Sequence, residues 1–287
     1  MSDEFQEHRQ HLWAVAYRIT GTVGDADDAV QEAWLRWQGA DRGAVVDSRA
    51  FLTTVVSRIC YDTLTSARAR RESYVGQWLP EPLLARDPGP EARITMDESV
   101  SVAMLAVLER LSPAERIALV LHDVFAVPFD EIAGIVGSNA AAVRQAASRA
   151  RRQVQAHGPR RSVDLSAHRK AVAAFLAAVE NGDLPGLVAV LDPEVVWRAD
   201  GGGVVNAARV PVLGRDKVSR LLTGLVEKFY AGTGLYARSE LVNTEPGLVI
   251  LEPSGAVNAV LAFSVAEGLI TEVDVLLNPD KLSHLST

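Results

Sequence analysis

Apolar positions recur at two different periods along this chain, and the change of period divides it. In the first 75 residues Leu12, Val15, Ala16 and Ile19 fall at helical spacing, and Ala26, Ala29, Val30, Ala33 and Trp34 repeat the pattern. Gly21 and Gly24 are expected to punctuate these two helices. A third helix is predicted from an N-cap at Asp47 or Ser48, through Phe51, Leu52, Val55, Val56 and Ile59, to a basic end at Arg68, Arg70 and Arg71. Four prolines and two glycines between Gly76 and Glu91 exclude a continuous helix there. Trp78, Leu79, Leu83 and Leu84 in the same stretch would expose apolar surface unless packed, which predicts a docked connector.

Helical periodicity resumes over about residues 92–160, where Ala133, Gly137 and Val143 stand four and then six residues apart. A helix-turn-helix needs a small residue where its helices touch, a glycine in the turn and an apolar residue in the second helix. Ser138 is the expected N-cap of a recognition helix over Ala140–Gln155, with Val143 and Ala147 inward. Asn139, Arg144, Gln145, Ser148, Arg149 and Arg152 then project outward, Arg144 and Gln145 as base readers.

From residue 165 the character changes again. Val172, Phe175, Leu176 and Val179 give one amphipathic helix, Leu184, Leu187, Val188 and Leu191 a second, and Val218, Leu221, Leu222, Leu225 and Phe229 a third. Period-two segments surround the third: EVVWRAD before it, then YARSELVN, GLVILE, VNAVLAFSV and LITEVDVLL. The fold class expected is multidomain: two all-α domains (1–75 and 92–160) joined by a linker (76–91), then an α+β cone (165–287) whose curved antiparallel sheet wraps over helices around an interior cavity.

Charge sharpens this division. The net charge is -7 and the pI about 5.4, which argues against indiscriminate coating of nucleic acid. Yet Arg144–Arg161 holds six arginines and no acid, whereas Asp25–Glu32 holds four acids and no base. Segregated charge points to two different partners. The single cysteine, Cys60, excludes an internal disulfide, and the absence of a leader or a long apolar run predicts a cytoplasmic protein without membrane contact. His8 and His11 lack further ligands, so no metal or cofactor is expected.

With these residues in view, the first half resembles an extracytoplasmic-function sigma factor. DADDAVQEAWLRW (25–37) is similar to that family's polymerase-gripping segment, RAFLTTVVSRICYDTLTSARAR (49–70) to its promoter -10 reader, and the stretch from Leu111 to Val154 to its -35 reader. The last third resembles a SnoaL-like, cystatin-type cone. A subgroup of these sigma factors bears such an extension with WLPEP, DGGG and NPDKL motifs, here Trp78–Leu79–Pro80–Glu81–Pro82, Asp200–Gly201–Gly202–Gly203 and Asn278–Pro279–Asp280–Lys281–Leu282.

The resemblance implies bacterial RNA polymerase core and promoter DNA as partners, one copy of the factor per polymerase. It assigns the polymerase face to Asp27, Asp28, Gln31, Glu32 and Leu35, and the -10 contacts to Arg58, Asp62, Arg68, Arg70 and Arg71. It also places the three motifs at a regulatory contact between linker and cone. Many relatives put a basic side chain where this chain has Ala146, so part of the family's usual promoter contact is not expected here. A ligand-sensing cone is a further expectation, with no residue naming the ligand. Two other classes compete: a one-component repressor, which needs neither the acidic face nor a second DNA reader, and a cavity enzyme drawing on Asp200, Glu272, Asp274 and Tyr230 or Tyr236. No orienting partner for those carboxylates is readable, so no catalytic residue is assigned.

Overall fold

The computed structural model describes residues 3–71, 74–84, 100–159, 164–226 and 232–285. It divides into two compact units, the first holding residues 3–71, 100 and 105–158 and the second residues 74–84, 101–104 and 159 with the described part of 164–285. The described part of the linker therefore belongs to the C-terminal unit.

In the first unit α1 (Asp3–Thr20), α2 (Val23–Gln38) and α3 (Ser48–Arg71) pack against one another. Their shared core includes Leu12, Val15, Ile19, Val30, Trp37 and Leu52, the positions set by the helical period. Only Gly21, with a φ of 76°, makes the turn between α1 and α2. Thr22 caps α2 by accepting from the Asp25 amide, so Gly24 lies inside the helix rather than in the turn. Asp47 caps α3, its carboxylate accepting from the Ala50 amide at 3.0 Å.

After α4 (Val102–Leu108) comes α5 (Pro113–Leu119), whose start is fixed by a capping box between Ser112 and Glu115. A π-helical turn, Val120–Val124, leads to α6 (Phe129–Val136) and α7 (Ala140–His157). Gly137 ends α6 in the left-handed region at φ 66°. The cap of α7 is Asn139 and not Ser138: the Asn139 carboxamide oxygen accepts from the Ala142 amide at 2.9 Å.

The C-terminal unit runs α8 (Leu165–Glu180), α9 (Leu184–Val190), β1 (Leu191–Asp200), β2 (Val212–Leu213), α10 (Arg215–Leu225), β3 (Tyr236–Val242), β4 (Glu245–Leu251), β5 (Val257–Ala266), β6 (Leu269–Leu276) and α11 (Pro279–Leu282). The sheet order is β2-β1-β6-β5-β4-β3. It is not wholly antiparallel, because β1 and β6 run parallel with Trp197 opposite Val273 and Ala199 opposite Val275. The chain closes the sheet by returning to β1 only after the β3–β6 meander, and that return sets the direction. One face of the sheet, with Trp197, Phe263 and Val273, joins Phe175 of α8 and Leu222 of α10 in the core of the cone. Phe175 and Phe263 meet edge to face at 5.1 Å.

Candidate nucleic-acid, polymerase and docking surfaces

The recognition-helix candidate α7 buries Val143, Ala146, Ala147 and Ala150 and exposes Arg144, Gln145, Ser148, Arg149 and Arg152 along one face. Ala146 is only 4% exposed, so its small side chain belongs to the packing seam and leaves the outward face unchanged. Asn139 is exposed at the N-terminus as the cap. The arginines do meet acids, although none lies on their own helix. Arg149 donates to Glu115 of α5 at 2.7 Å, and Arg151 donates twice to Asp123 of the π-turn at 2.8 and 2.6 Å. Burial opposes ionisation of Glu115, but the bonds from Arg149 and Ser112 outweigh it and hold the carboxyl below its ordinary value. Arg160 and Arg161 lie outside the described residues.

Arg144 has a different partner. Its guanidinium carbon stands 5.4 Å from the centroid of the Phe129 ring, and the His122 imidazole stacks on the same ring at 3.8 Å. Neither aromatic residue had a motif to mark it in the sequence.

On α2, Asp27, Asp28, Gln31 and Leu35 are exposed and Glu32 is half-buried, all on one helix face. Leu35, 54% exposed, is an apolar knob among acids. Asp27 accepts from the Trp13 indole at 2.8 Å, and Glu32 pairs with Arg36 at 3.0 Å. Trp34 packs edge to face on Phe5, and Trp37 is buried.

Arg58 and Asp62 are exposed on α3; Arg68, Arg70 and Arg71 fall in its last turns, with side chains outside the described residues. Arg58 donates to the Gly134 carbonyl of α6 at 3.0 Å, so α3 and the helix-turn-helix touch within the first unit. Phe125, just after the π-turn, packs on α1 in the same unit, edge to face with His11 at 5.3 Å and under the Arg18 guanidinium at 5.2 Å. His8 and His11 bond the hydroxyls of Ser48 and Thr53, each at 3.1 Å. Cys60 is buried, which pushes its thiol pKa up.

In the C-terminal unit the three motifs converge on one carboxylate. Asp200, fully buried, accepts from the Tyr74 hydroxyl at 2.6 Å, the Gly202 amide at 3.0 Å, the Leu79 amide at 2.8 Å and the Lys281 ammonium at 2.8 Å. Its main-chain oxygen accepts from the amides of Leu277 and Asn278. Lys281 also donates to the Leu79 carbonyl and lies 3.8 Å from the Trp78 ring centroid. Asn278 caps α11 through its oxygen and donates from its nitrogen to the Tyr74 hydroxyl at 3.0 Å. Burial, followed by the bond to Asp200, pushes the Tyr74 phenol up.

Glycine is required at this contact. Gly202 has φ 62°, and a Cβ on it would fall 2.5 Å from the Asn278 side chain; one on Gly203 would fall 3.0 Å from Val75. Gly201 closes the loop by accepting from the amides of Val204 and Val205. Pro80 and Pro82 are buried, Glu81 is half-buried, and Pro279, Asp280 and Leu282 form α11 beside them. Beyond the motifs, Leu83 and Asn243 bond reciprocally, Leu84 bridges to Val242, and His284 bonds the Pro82 carbonyl at 2.9 Å. Tyr74, Asn243 and His284 are parts of the dock that no sequence motif exposed.

The carboxylates weighed for catalysis are all engaged. Arg198 donates to Glu272 at 2.5 Å and to Asp274 at 2.6 and 3.2 Å, on the sheet face opposite Trp197 and Val273. Burial disfavours the Arg198 charge, but Asp274 and Glu272 overcome it and raise the pKa. Tyr236 is exposed on β3, and Tyr230 lies outside the described residues. Among those residues no cluster of His, Cys, Asp or Glu is arranged to hold a metal, and no helix is long and apolar enough to cross a membrane.

Comparison with known proteins adds to this geometry. A family profile for Sigma-70 region 2 matches residues 5–70, and one for Sigma-70, region 4 matches residues 101–154. The chain is 44% identical to the ECF RNA polymerase sigma factor SigJ of Mycobacterium tuberculosis, over 98% of this chain and 92% of that one. It is 38% identical to the probable ECF RNA polymerase sigma factor SigI of the same species, over 99% of this chain and 96% of that one. The crystal structure of the Mycobacterium tuberculosis SigJ superposes with a TM-score of 0.78 at 40% identity, covering 98% of this chain and 97% of that one.

Proposed function

The chain belongs to the extracytoplasmic-function sigma factors, and from that premise we propose that its C-terminal cone regulates transcription initiation in cis by holding the linker between two DNA-reading domains. A sigma factor brings bacterial RNA polymerase core to promoter DNA and assists its opening. In this reading the α2 face of Asp27, Asp28, Gln31, Glu32 and Leu35 meets the core enzyme, its acids facing basic groups and Leu35 supplying an apolar anchor. Arg58, Asp62, Arg68, Arg70 and Arg71 serve the -10 element, where planar guanidinium groups can stack on unpaired bases. Asn139, Arg144, Gln145, Ser148, Arg149 and Arg152 serve the -35 element, the first residues reading bases and the later arginines holding phosphates. The protein works in the cytoplasm, one copy per polymerase.

The regulatory part is supported by the Asp200 carboxylate, which takes donors from the linker, the DGGG loop and the NPDKL helix at once. Whether the two readers span a promoter depends on the slack between them, and a clamped linker removes slack. Turnover by the cone has no part in this reading: Asp200 is paired with Lys281, and Glu272 and Asp274 share the guanidinium of Arg198.

Run-off transcription with sigma-free bacterial core tests both parts. The full chain should give promoter-dependent transcripts, and D200A or a triple alanine replacement of Leu79–Glu81 should change their yield on the order of 10-fold, the size of an ordinary coupling between sites. Transcripts that do not respond to either variant would remove the regulatory role, and tight duplex binding without transcripts would favour a repressor.

A further inference from the structure

The surroundings of Arg144 show a built support beneath an exposed side chain. We propose that Phe129, backed by His122, is a positioning platform that aims Arg144 at the -35 element and so sharpens base selection there. The proposal rests on the reading of Arg144 as a base contact.

The support is constructed from the sequence upward. The π-turn at Val120–Val124 and the left-handed Ala126 (φ 56°) reverse the chain so that Val127 donates its amide to the Leu121 carbonyl at 2.9 Å. The Val127 carbonyl is thereby brought to the His122 Nδ1 at 3.0 Å. A carbonyl only accepts, so Nδ1 carries the proton and the imidazole is held in one orientation. That ring lies nearly parallel to Phe129, 24° between planes at 3.8 Å. Pro128, extended and ahead of the first residue of α6, fixes where Phe129 starts. The half-buried Phe129 then offers its ring to the guanidinium of the exposed Arg144, five residues beyond the Asn139 cap.

An exposed arginine samples many rotamers, and those that miss the base edge dilute selectivity. Attraction to an aromatic face restricts that sampling without consuming the guanidinium donors, which point outward from the plane edge and stay free for guanine-type acceptors. Arg149 and Arg151 differ, because each spends donors on a carboxylate. Among the described arginines of α7, Arg144 is thus the one supported from a ring face and not from an acid.

The test uses the full chain assembled with core polymerase and a promoter panel in which each -35 position is changed in turn. R144A should flatten preference at one position. F129L keeps an apolar filler but removes the ring; it should lower discrimination at that same position about two- to fivefold, the size of an exposed cation–π contact, and leave other positions alone. F129Y and F129W should retain it, and H122A should fall between. If R144A leaves every position unchanged, the reading of Arg144 fails. If R144A flattens one position and F129L keeps it, the platform fails while that reading stands. Uniform loss across the panel for F129L, without rescue by F129Y, would also overturn the platform, since it would mark a residue needed only for folding.

Discussion

Asp200 shows how much a single buried side chain can hold. It is fully buried with Lys281, itself 6% exposed, as its ionic partner. Removing one member of such a pair strands the other, at a cost of about 3–5 kcal/mol. D200A is expected to lower the stability of the C-terminal unit by that order in urea unfolding followed by Trp78 and Trp197 fluorescence. Y74F, which deletes a hydroxyl bonded to Asp200 and Asn278, should cost about 1 kcal/mol in the same assay. His11 gives a different signature. Burial, then Arg49, His8 and Arg18, bring its pKa from 6.5 down to about 4. Between those values the unfolded chain binds more protons than the folded one. The contribution is therefore complete above pH 6.5 and is lost as the pH falls towards 4. Melting curves between pH 7 and 4 should show the helical unit weakening over that window, with the difference reduced in H11Q.

At the scale of elements, the capping box of α5 links stability to the face of α7 proposed for -35 DNA. Ser112 and Glu115 satisfy each other's backbone amides, and the second Glu115 oxygen holds Arg149. S112A should cost about 1 kcal/mol of helical-unit stability by thermal melting. E115Q can keep the box but frees Arg149, so holoenzyme affinity for -35 DNA should rise, by no more than the ~1 kcal/mol of an exposed ion pair, and show a steeper salt dependence. These partners explain what the sequence concealed. The outward face of α7 was readable because Val143 and Ala147 fix the inward one. The acids that meet Arg149 and Arg151 were not, because they are 34 and 28 residues away on other elements. Five of the six described strands were legible from their alternation, whereas the two-residue β2 and the parallel match of β1 to β6 were not. Period two states which face a residue takes, and says nothing of which strand lies alongside. The motif trio was found by resemblance, yet Tyr74 and Asn243 join the dock through geometry that no local pattern records.

At the scale of the molecule, the first unit holds both DNA readers in contact. The Arg58 guanidinium is drawn to the Gly134 carbonyl, and the Phe125 ring packs on His11 and Arg18. Under the proposed assignment of Arg58 to the -10 element, promoter capture with both readers spread parts these contacts. F125A should loosen them, seen as faster hydrogen exchange in α6 and the facing turns of α3, while transcription in the presence of core is retained or increased. Slower or unchanged exchange would show that the closure lies elsewhere.

The convergence on Asp200 has an evolutionary consequence. Because one carboxylate serves a tyrosine, a glycine amide, a linker amide and a lysine, substitutions at those positions cannot act independently. Once Asp200 is gone, the Lys281 charge is a liability, and its replacement by an apolar residue becomes a repair. The same change made first is an injury. Gly202 is bound into the same set, since any side chain there displaces Asn278 and with it the support of Tyr74. These residues form an epistatic group: mutational order decides which paths remain open, and lineages that relax the clamp are expected to lose its parts together.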